Sequence, residues 1–262
     1  MRIVRFLEES EVYYGALDGE TIRVMDCCPF CGGQLSGRKV QLTTVKLLAP
    51  VEPPNILALG LNYGKHAAET NMKRPERPLL FIKATNALAG PGDAIALPKI
   101  APNEVDYEVE LCIVIGKKAK HVSEADALKY CLGYTCGNDV SARDCQLRLD
   151  GQWARGKSFD TFAPLGPWIE TQFDPDNANL RLRLNGQVMQ ESNTSDMIFG
   201  AAQVVSFLSD CMTLAPGTVI MTGTPGGVGF ARKPPVFLKA GDTVEAEIDG
   251  IGTLVNTVVV ED

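Results

Sequence analysis

Histidine is scarce in this chain of 262 residues: only His66 and His121 are present. Zinc centres built on two or three histidines are therefore all but excluded, and a metal here must lean on oxygen or sulfur ligands. Basic clusters are lacking too. Lys and Arg number 25 against 32 Asp and Glu, and a net charge of −7 makes nucleic acid and anionic membrane surfaces poor partners. No stretch approaches the roughly 18 apolar residues of a membrane span. Met1–Ser10 carries neither the apolar run nor the cleavage site of a secretory signal, so a cytoplasmic location is the expectation. Repeats and low-complexity tracts are absent. What is present is apolar: 45% of residues are hydrophobic, enough to give one large domain or two small ones a sizeable core.

Eight cysteines occur, and in a cytosolic chain they are expected as free thiols rather than a disulfide framework. Three cluster in Cys27-Cys28-Pro29-Phe30-Cys31-Gly32-Gly33. The C-x2-C spacing is half of a zinc knuckle, yet a structural zinc needs four ligands and the sequence holds no second such pair. A zinc or redox role stays open beside a plain glycine-rich turn.

Alternation over residues 2–7, 11–17 and 20–25 predicts strands, with Asp18-Gly19 as a hairpin turn. Residues 27–45 read as turn-rich, and 49–54 as a linker. The predicted organisation is a small N-terminal β domain over 1–50 and a larger domain over 51–262. In the latter, 56–61 reads as a buried strand, 62–71 as a polar helix, 79–83 as a strand and 105–115 as the clearest strand. Ser123 predicts a helix over 124–132 and Ser141 a short helix over 142–149; 197–209 reads as an amphipathic helix. Hairpins are expected at Asn185-Gly186 and Asp249-Gly250. Strands outnumber helices, so the expected fold class is α+β, rich in β-sheet.

The segment VDYEVELCIVI, residues 105–115, carries Asp106, Glu108 and Glu110 at alternate positions. On a strand they share one face, each about 7 Å from the next. Carboxylates so placed repel, and one must hold its proton unless a cation sits between them. The bland counterpart is a solvated edge strand whose acids discourage aggregation. Asp139, ahead of a predicted helix, offers a third oxygen. Oxygen ligands with few histidines suit Mg²⁺, Mn²⁺ or Ca²⁺.

Four motifs follow one another: DYEVEL at Asp106–Leu111, GNDVSARDCQ at Gly137–Gln146, GKSFD at Gly156–Asp160 and TGTPGGVG at Thr222–Gly229. In this order they resemble the fumarylacetoacetate hydrolase family, over roughly residues 55–262. The first 50 residues match it only loosely, and the cysteine cluster lies outside its pattern. The resemblance implies a mixed β-sandwich roll, usually a homodimer, with Mg²⁺ or Mn²⁺ in each subunit. It makes Glu108, Glu110 and Asp139 the metal ligands. His66-Ala67-Ala68-Glu69 matches the His-x-x-Glu that smaller members carry on a mobile lid, and Lys157 matches the family lysine. Members act on small 2-oxo acids, whose carboxylate and keto oxygens can chelate a divalent ion. Lewis acidity at that point favours enolate formation, which serves C–C hydrolysis, decarboxylation and keto–enol isomerisation alike.

On this reading Glu69 orients His66 from the same helical face, and His66 takes a proton from water. A plain surface pair is the alternative. Lys157 neutralises charge on the substrate oxygen. Arg143 and Gln146 hold a substrate carboxylate, unless Arg143 serves a structural ion pair. Gly223 and Thr224 sit in a glycine-rich turn that lacks the Gly-Lys-Ser/Thr of a P-loop; they line that carboxylate as a backbone nest. Tyr63 and Lys83 complete the candidate substrate contacts. His121, set among lysines, reads as a solvated turn residue. The expected activity is hydrolysis of a C–C bond in a small 2,4-dioxo acid such as an acylpyruvate. The alternatives on the same site are decarboxylation of oxaloacetate or of 5-oxopent-3-ene-1,2,5-tricarboxylate, and isomerisation of 2-hydroxyhepta-2,4-diene-1,7-dioate. A non-catalytic ligand-binding protein that kept the fold is the reading from outside enzymology.

Overall fold

The computed structural model describes residues 1–69 and 73–261. Strands β1 (Arg2–Glu8), β2 (Glu11–Asp18), β3 (Thr21–Met25) and β4 (Leu35–Gln41) form an antiparallel meander. Val4, Phe6, Leu17, Ile22 and Val24 make a small core of their own there. Strand β4 falls within the stretch expected to be turns. Its residues are polar and largely exposed, and it is extended because β3 offers an edge to pair with, not because it has an apolar face. Strand β5 (Lys46–Leu48) returns along β1.

Strands β6 (Ile56–Gly60) and β7 (Leu79–Lys83) pair antiparallel, and α1 (Gly64–Glu69) lies between them in sequence. Of the helix expected over 62–71, Thr70 and Asn71 lie outside the described residues. Short β8 (Leu88–Ala89), β9 (Ala94–Leu97) and β10 (Val105–Asp106) lead into β11 (Val109–Ile115). Helix α2 (Glu124–Ala127) precedes β12 (Cys131–Asn138); β13 (Ser141–Ala142), α3 (Ala154–Lys157) and β14 (Ala163–Glu170) follow. Strands β15 (Asn179–Leu184) and β16 (Gln187–Asn193) form a hairpin, then come α4 (Ala201–Cys211) and β17 (Val219–Met221). Strands β18 (Thr243–Ile248) and β19 (Gly252–Val260) form the last hairpin.

One sheet runs β4-β3-β2-β1-β14-β12-β11-β17-β6-β7, and a second, β16-β15-β18-β19-β9, packs across β11, β12 and β14. This is the strand-rich, mixed α+β sandwich expected. The N-terminal meander is hydrogen-bonded into the larger sheet where Arg2 pairs with Glu170, whose carboxylate also takes the N-terminal ammonium at 2.8 Å.

The strand expected over 105–115 is broken at Tyr107–Glu108. Val105 and Asp106 pair with β13, whereas pairing with β12 begins at Val109. The step is bridged by Asn138, whose Oδ1 accepts the Glu108 N–H at 2.8 Å. Strand β11 is buried along its whole length. The segment presents no solvated acidic face: Asp106, Glu108 and Glu110 are all buried. Two helices are also shorter than expected. After Ala127 the chain makes one 3-10 turn and then joins the central sheet at Cys131. Ser141 and Ala142 are extended, because β10 claims them; the Ser141 hydroxyl donates to the Asp139 carbonyl instead of capping a helix, and a π turn occupies 145–149. Helix α4 starts after Gly200, not at 197. No helix among the described residues is long and apolar enough to cross a membrane.

Candidate active site

The register of β11 on β12 builds the acidic centre. Val109 faces Asn138 and Glu110 faces Gly137, so the next residues outward, Glu108 and Asp139, meet; the Asp139 N–H donates to the Glu108 carbonyl at 2.9 Å. Oxygens of Glu108, Glu110 and Asp139 come within 4.8 Å of one another, and all three residues are buried. Strand β17, on the other side of β11, delivers the loop Thr222–Gly229. Its Gly223 N–H donates to Glu110 Oε2 at 2.7 Å. Gly223 has φ +97°, and a Cβ there would stand 2.7 Å from the Asn62 side chain, so glycine is required.

Three buried cations surround four buried acids. Lys157 Nζ bridges Glu108 at 2.8 Å and Asp139 at 2.6 Å, and Lys83 Nζ contacts Asp139 and the Val140 carbonyl. Arg143 donates to Asp106 at 2.9 Å, Glu108 at 2.6 Å and Gln146 at 2.8 Å, with its guanidinium 4.4 Å above the Phe230 ring centroid. Burial works against the Lys157 charge, but Asp139 and Glu108 outweigh it and hold the ammonium above its usual range. Burial, reinforced by repulsion from Lys157, pulls Lys83 down despite Asp139. Burial opposes ionisation of Glu108, yet Lys157 and Arg143 hold it well below the usual carboxylate range. Glu110 goes the other way: burial, then Asp139 and Glu108, push it well up. No lysine or arginine among the described residues pairs with Glu110. The surplus acid, the hard oxygen donors and their convergence fit a divalent cation.

These groups open into a cavity of about 240 Å³, whose polar wall includes His66, Gln146, Lys157 and Thr224. Leu59, Phe81, Leu147, Trp153 and Phe230 form its apolar wall. His66 is buried on α1, with Nδ1 3.6 Å from Glu69 Oε2. Glu69 in turn accepts the Gly227 N–H at 3.2 and 3.0 Å. The His66 contact first and then the Gly227 N–H, against the opposing effect of partial burial, hold the Glu69 carboxyl below its usual range. Helix α1 is thereby tied to the glycine-rich loop.

Eight of the twelve expected residues line this cavity; Glu69 and Gly223 stand behind it. Tyr63 and Lys83 are fully buried but do not line the cavity. Tyr63 is bridged to Met197, and Lys83 is occupied by Asp139. The Gly223 amide serves Glu110, and Arg143, on the cavity wall, already donates to Asp106, Glu108 and Gln146. Sequence reasoning missed three supports. Gln190 accepts the Val109 N–H at 2.9 Å and donates to Thr224 Oγ1 at 2.8 Å. Asn62 donates to the Thr222 and Phe199 carbonyls at 2.7 and 3.0 Å. Asp106 stands apart from the carboxylate triad and accepts N–H groups of Gly229 and Phe230 at 2.7 and 3.0 Å. Only the last carried a signal, its Asp-x-Glu-x-Glu alternation.

The family model for "Fumarylacetoacetate (FAA) hydrolase C-terminal" matches residues 55–259, and one for "Rv2993c-like, N-terminal" matches residues 1–50. The chain belongs to the fumarylacetoacetate hydrolase family. It is 52% identical to the fumarylacetoacetate hydrolase domain-containing protein 2 homolog of Dictyostelium discoideum, covering 86% of this chain and 77% of that one. It is 47% identical to the mitochondrial oxaloacetate tautomerase Fahd2a of Rattus norvegicus, covering 82% of this chain and 70% of that one. The crystal structure of 5-carboxymethyl-2-hydroxymuconate delta-isomerase from Mycobacterium smegmatis superposes with a TM-score of 0.90, at 44% identity over 100% of both chains.

Proposed function

We propose that the chain interconverts the keto and enol forms of a small 2-oxo diacid, with Mg²⁺ or Mn²⁺ held by Glu108, Glu110 and Asp139. The observation that carries this is that His66 and the three carboxylates line one cavity of about 240 Å³. Relatives named as a tautomerase and an isomerase support proton transfer over bond hydrolysis. A bound divalent ion would supply Lewis acidity toward the 2-oxo group and its neighbouring carboxylate. His66 holds the proton that is delivered to, or taken from, the carbon next to the 2-oxo group. Glu69, fixed by Gly227, orients the imidazole. Lys157 keeps Glu108 ionised and aims Glu108 and Asp139, and the Phe81 and Trp153 rings exclude bulk water.

Hydrolysis of a 2,4-dioxo acid is the second reading, and the His66–Glu69 pair favours it, since such a pair can also activate water. Oxaloacetate enol decay followed by ultraviolet absorbance, in parallel with acylpyruvate consumption and pyruvate release, separates the two. Tautomerisation predicts metal-dependent enol decay without pyruvate release, lost in His66→Ala. Uncatalysed enol decay alongside acylpyruvate cleavage overturns it in favour of the hydrolase.

A further inference from the structure

The cysteine turn carries chemistry that the proposed reaction does not use. Residues Pro29–Cys31 form a single 3-10 turn between β3 and β4, with Pro29 fixing the backbone at its start. The Cys28 carbonyl accepts the N–H of Cys31 at 3.0 Å and of Gly33 at 3.1 Å. Gly32 closes the turn at φ +83°. A Cβ at Gly33 would stand 2.3 Å from the Cys27 carbonyl oxygen, so no other residue fits there. Asp26 clamps the base: its Oδ1 accepts the Gln34 N–H at 2.8 Å, and its own N–H donates to the Gln34 carbonyl at 3.0 Å. The loop so built holds the Cys28 and Cys31 sulfurs 3.0 Å apart. Cys31 is exposed and Cys28 half-buried.

The same geometry argues against a metal centre. Cys27 Sγ turns toward the carbonyl oxygens of Cys28 and Cys31, at 3.8 and 4.0 Å. Among the described residues, only Glu108, Glu110 and Asp139 converge as three ligating side chains. Two sulfurs meet here, and a structural zinc needs four ligands.

We propose that Cys28 and Cys31 form a reversible dithiol–disulfide pair that exchanges with low-molecular-weight disulfides. The thiolate of one cysteine attacks a sulfur of the small disulfide, making a mixed disulfide and expelling one small thiolate. The other cysteine then attacks the protein sulfur of that bond, closing Cys28–Cys31 and expelling the second thiolate. Two electrons pass from the protein dithiol to the small disulfide, and the two thiol protons go to the two released thiolates. So short a ring removes little chain entropy, so the bond is suited to exchange rather than to stapling the fold.

The test incubates the full chain in glutathione buffers of graded oxidised-to-reduced ratio, quenches by alkylation and maps the tryptic peptide Val24–Arg38 by mass spectrometry. All three clustered cysteines lie in that peptide. Exposed Cys211, bonded to no other sulfur among the described residues, is the internal control. The expected result is reversible loss of two hydrogens from the peptide in the wild type and in Cys27→Ser. Cys28→Ser and Cys31→Ser should instead retain a glutathione adduct, as Cys211 does. The proposal is overturned if the Cys27→Ser peptide stays reduced, or holds only glutathione, while Cys211 reacts. Stoichiometric zinc released on alkylation of the pair overturns it as well.

Discussion

Replacing Arg143 by leucine separates the two roles open to this residue. The guanidinium is buried and donates to Asp106, Glu108 and Gln146. Leucine keeps an apolar contact with Phe230 but leaves two buried carboxylates without their shared cation. Breaking a buried ion pair from one side costs about 3–5 kcal/mol. Both acids keep other donors here: Asp106 has the Gly229 and Phe230 N–H groups, and Glu108 has Lys157 at 2.8 Å. The lower end, about 3 kcal/mol, is therefore expected; at roughly 2–4 °C per kcal/mol for a chain of this size, Tm falls by about 6–12 °C. Calorimetric melting and urea unfolding of the metal-free protein read this directly. Arg143→Lys should recover only part of it, since one ammonium cannot span three acceptors. If Arg143→Leu melts within about 2 °C of the wild type while KM for the 2-oxo acid rises steeply, the arginine was free for substrate. The ion-pair reasoning then fails.

Glu108→Ala should abolish both Mg²⁺ binding and turnover, whereas His66→Ala should keep Mg²⁺ binding and lose turnover; calorimetric Mg²⁺ titration checks this, and equal metal loss in both contradicts it. Gly227→Ala forces a side chain onto a backbone at φ +102°, with its Cβ 2.3 Å from the Met189 carbonyl. It should cost at least about 1–3 kcal/mol in strain and speed hydrogen exchange in α1, and unchanged urea unfolding would count against the geometry. The Glu69 carboxyl is held below its usual range, so the stabilisation it gives α1 is present above the unfolded pKa and lost as pH falls through the folded one. Exchange in α1 should therefore stay slow near the ordinary glutamate pKa of about 4.3 and accelerate only below it. Glu69→Gln should exchange fast throughout, and a wild type matching it at neutral pH would refute the anchor. Leu208→Ala, which empties a fully buried position of α4, should cost about 2–5 kcal/mol by urea unfolding with metal-site affinity unchanged.

Much of the candidate site's geometry was legible because its residues stand close together in sequence. Glu108 and Glu110 alternate in one segment, His66 and Glu69 are three apart, and Asp139 sits in a motif that resembles those of a known family. The hairpins at Asn185-Gly186 and Asp249-Gly250 were equally plain, since turn chemistry is short-range. The break at Tyr107–Glu108 was not legible. Alternation continues through it unperturbed, and the kink comes from Asn138, 30 residues away. Strand β4 was missed for the related reason that an exposed edge strand takes its conformation from its neighbour.

The sequence by itself determined the inventory: acids alternating in one segment with Asp139 to follow, only two histidines, and a net charge of −7. Tertiary structure decided how those groups are shared out. Arg143 binds Asp106 and Glu108 across 37 and 35 positions, Lys157 reaches back 49 residues to Glu108, and Glu69 meets Gly227 across 158. Which acid keeps a cation and which goes without one depends on distances of a few ångströms in a buried, poorly screened space. The register of β11 between β12 and β17 sets the spacing of the acids, and β7, α3 and the turn after β13 bring Lys83, Lys157 and Arg143 to them.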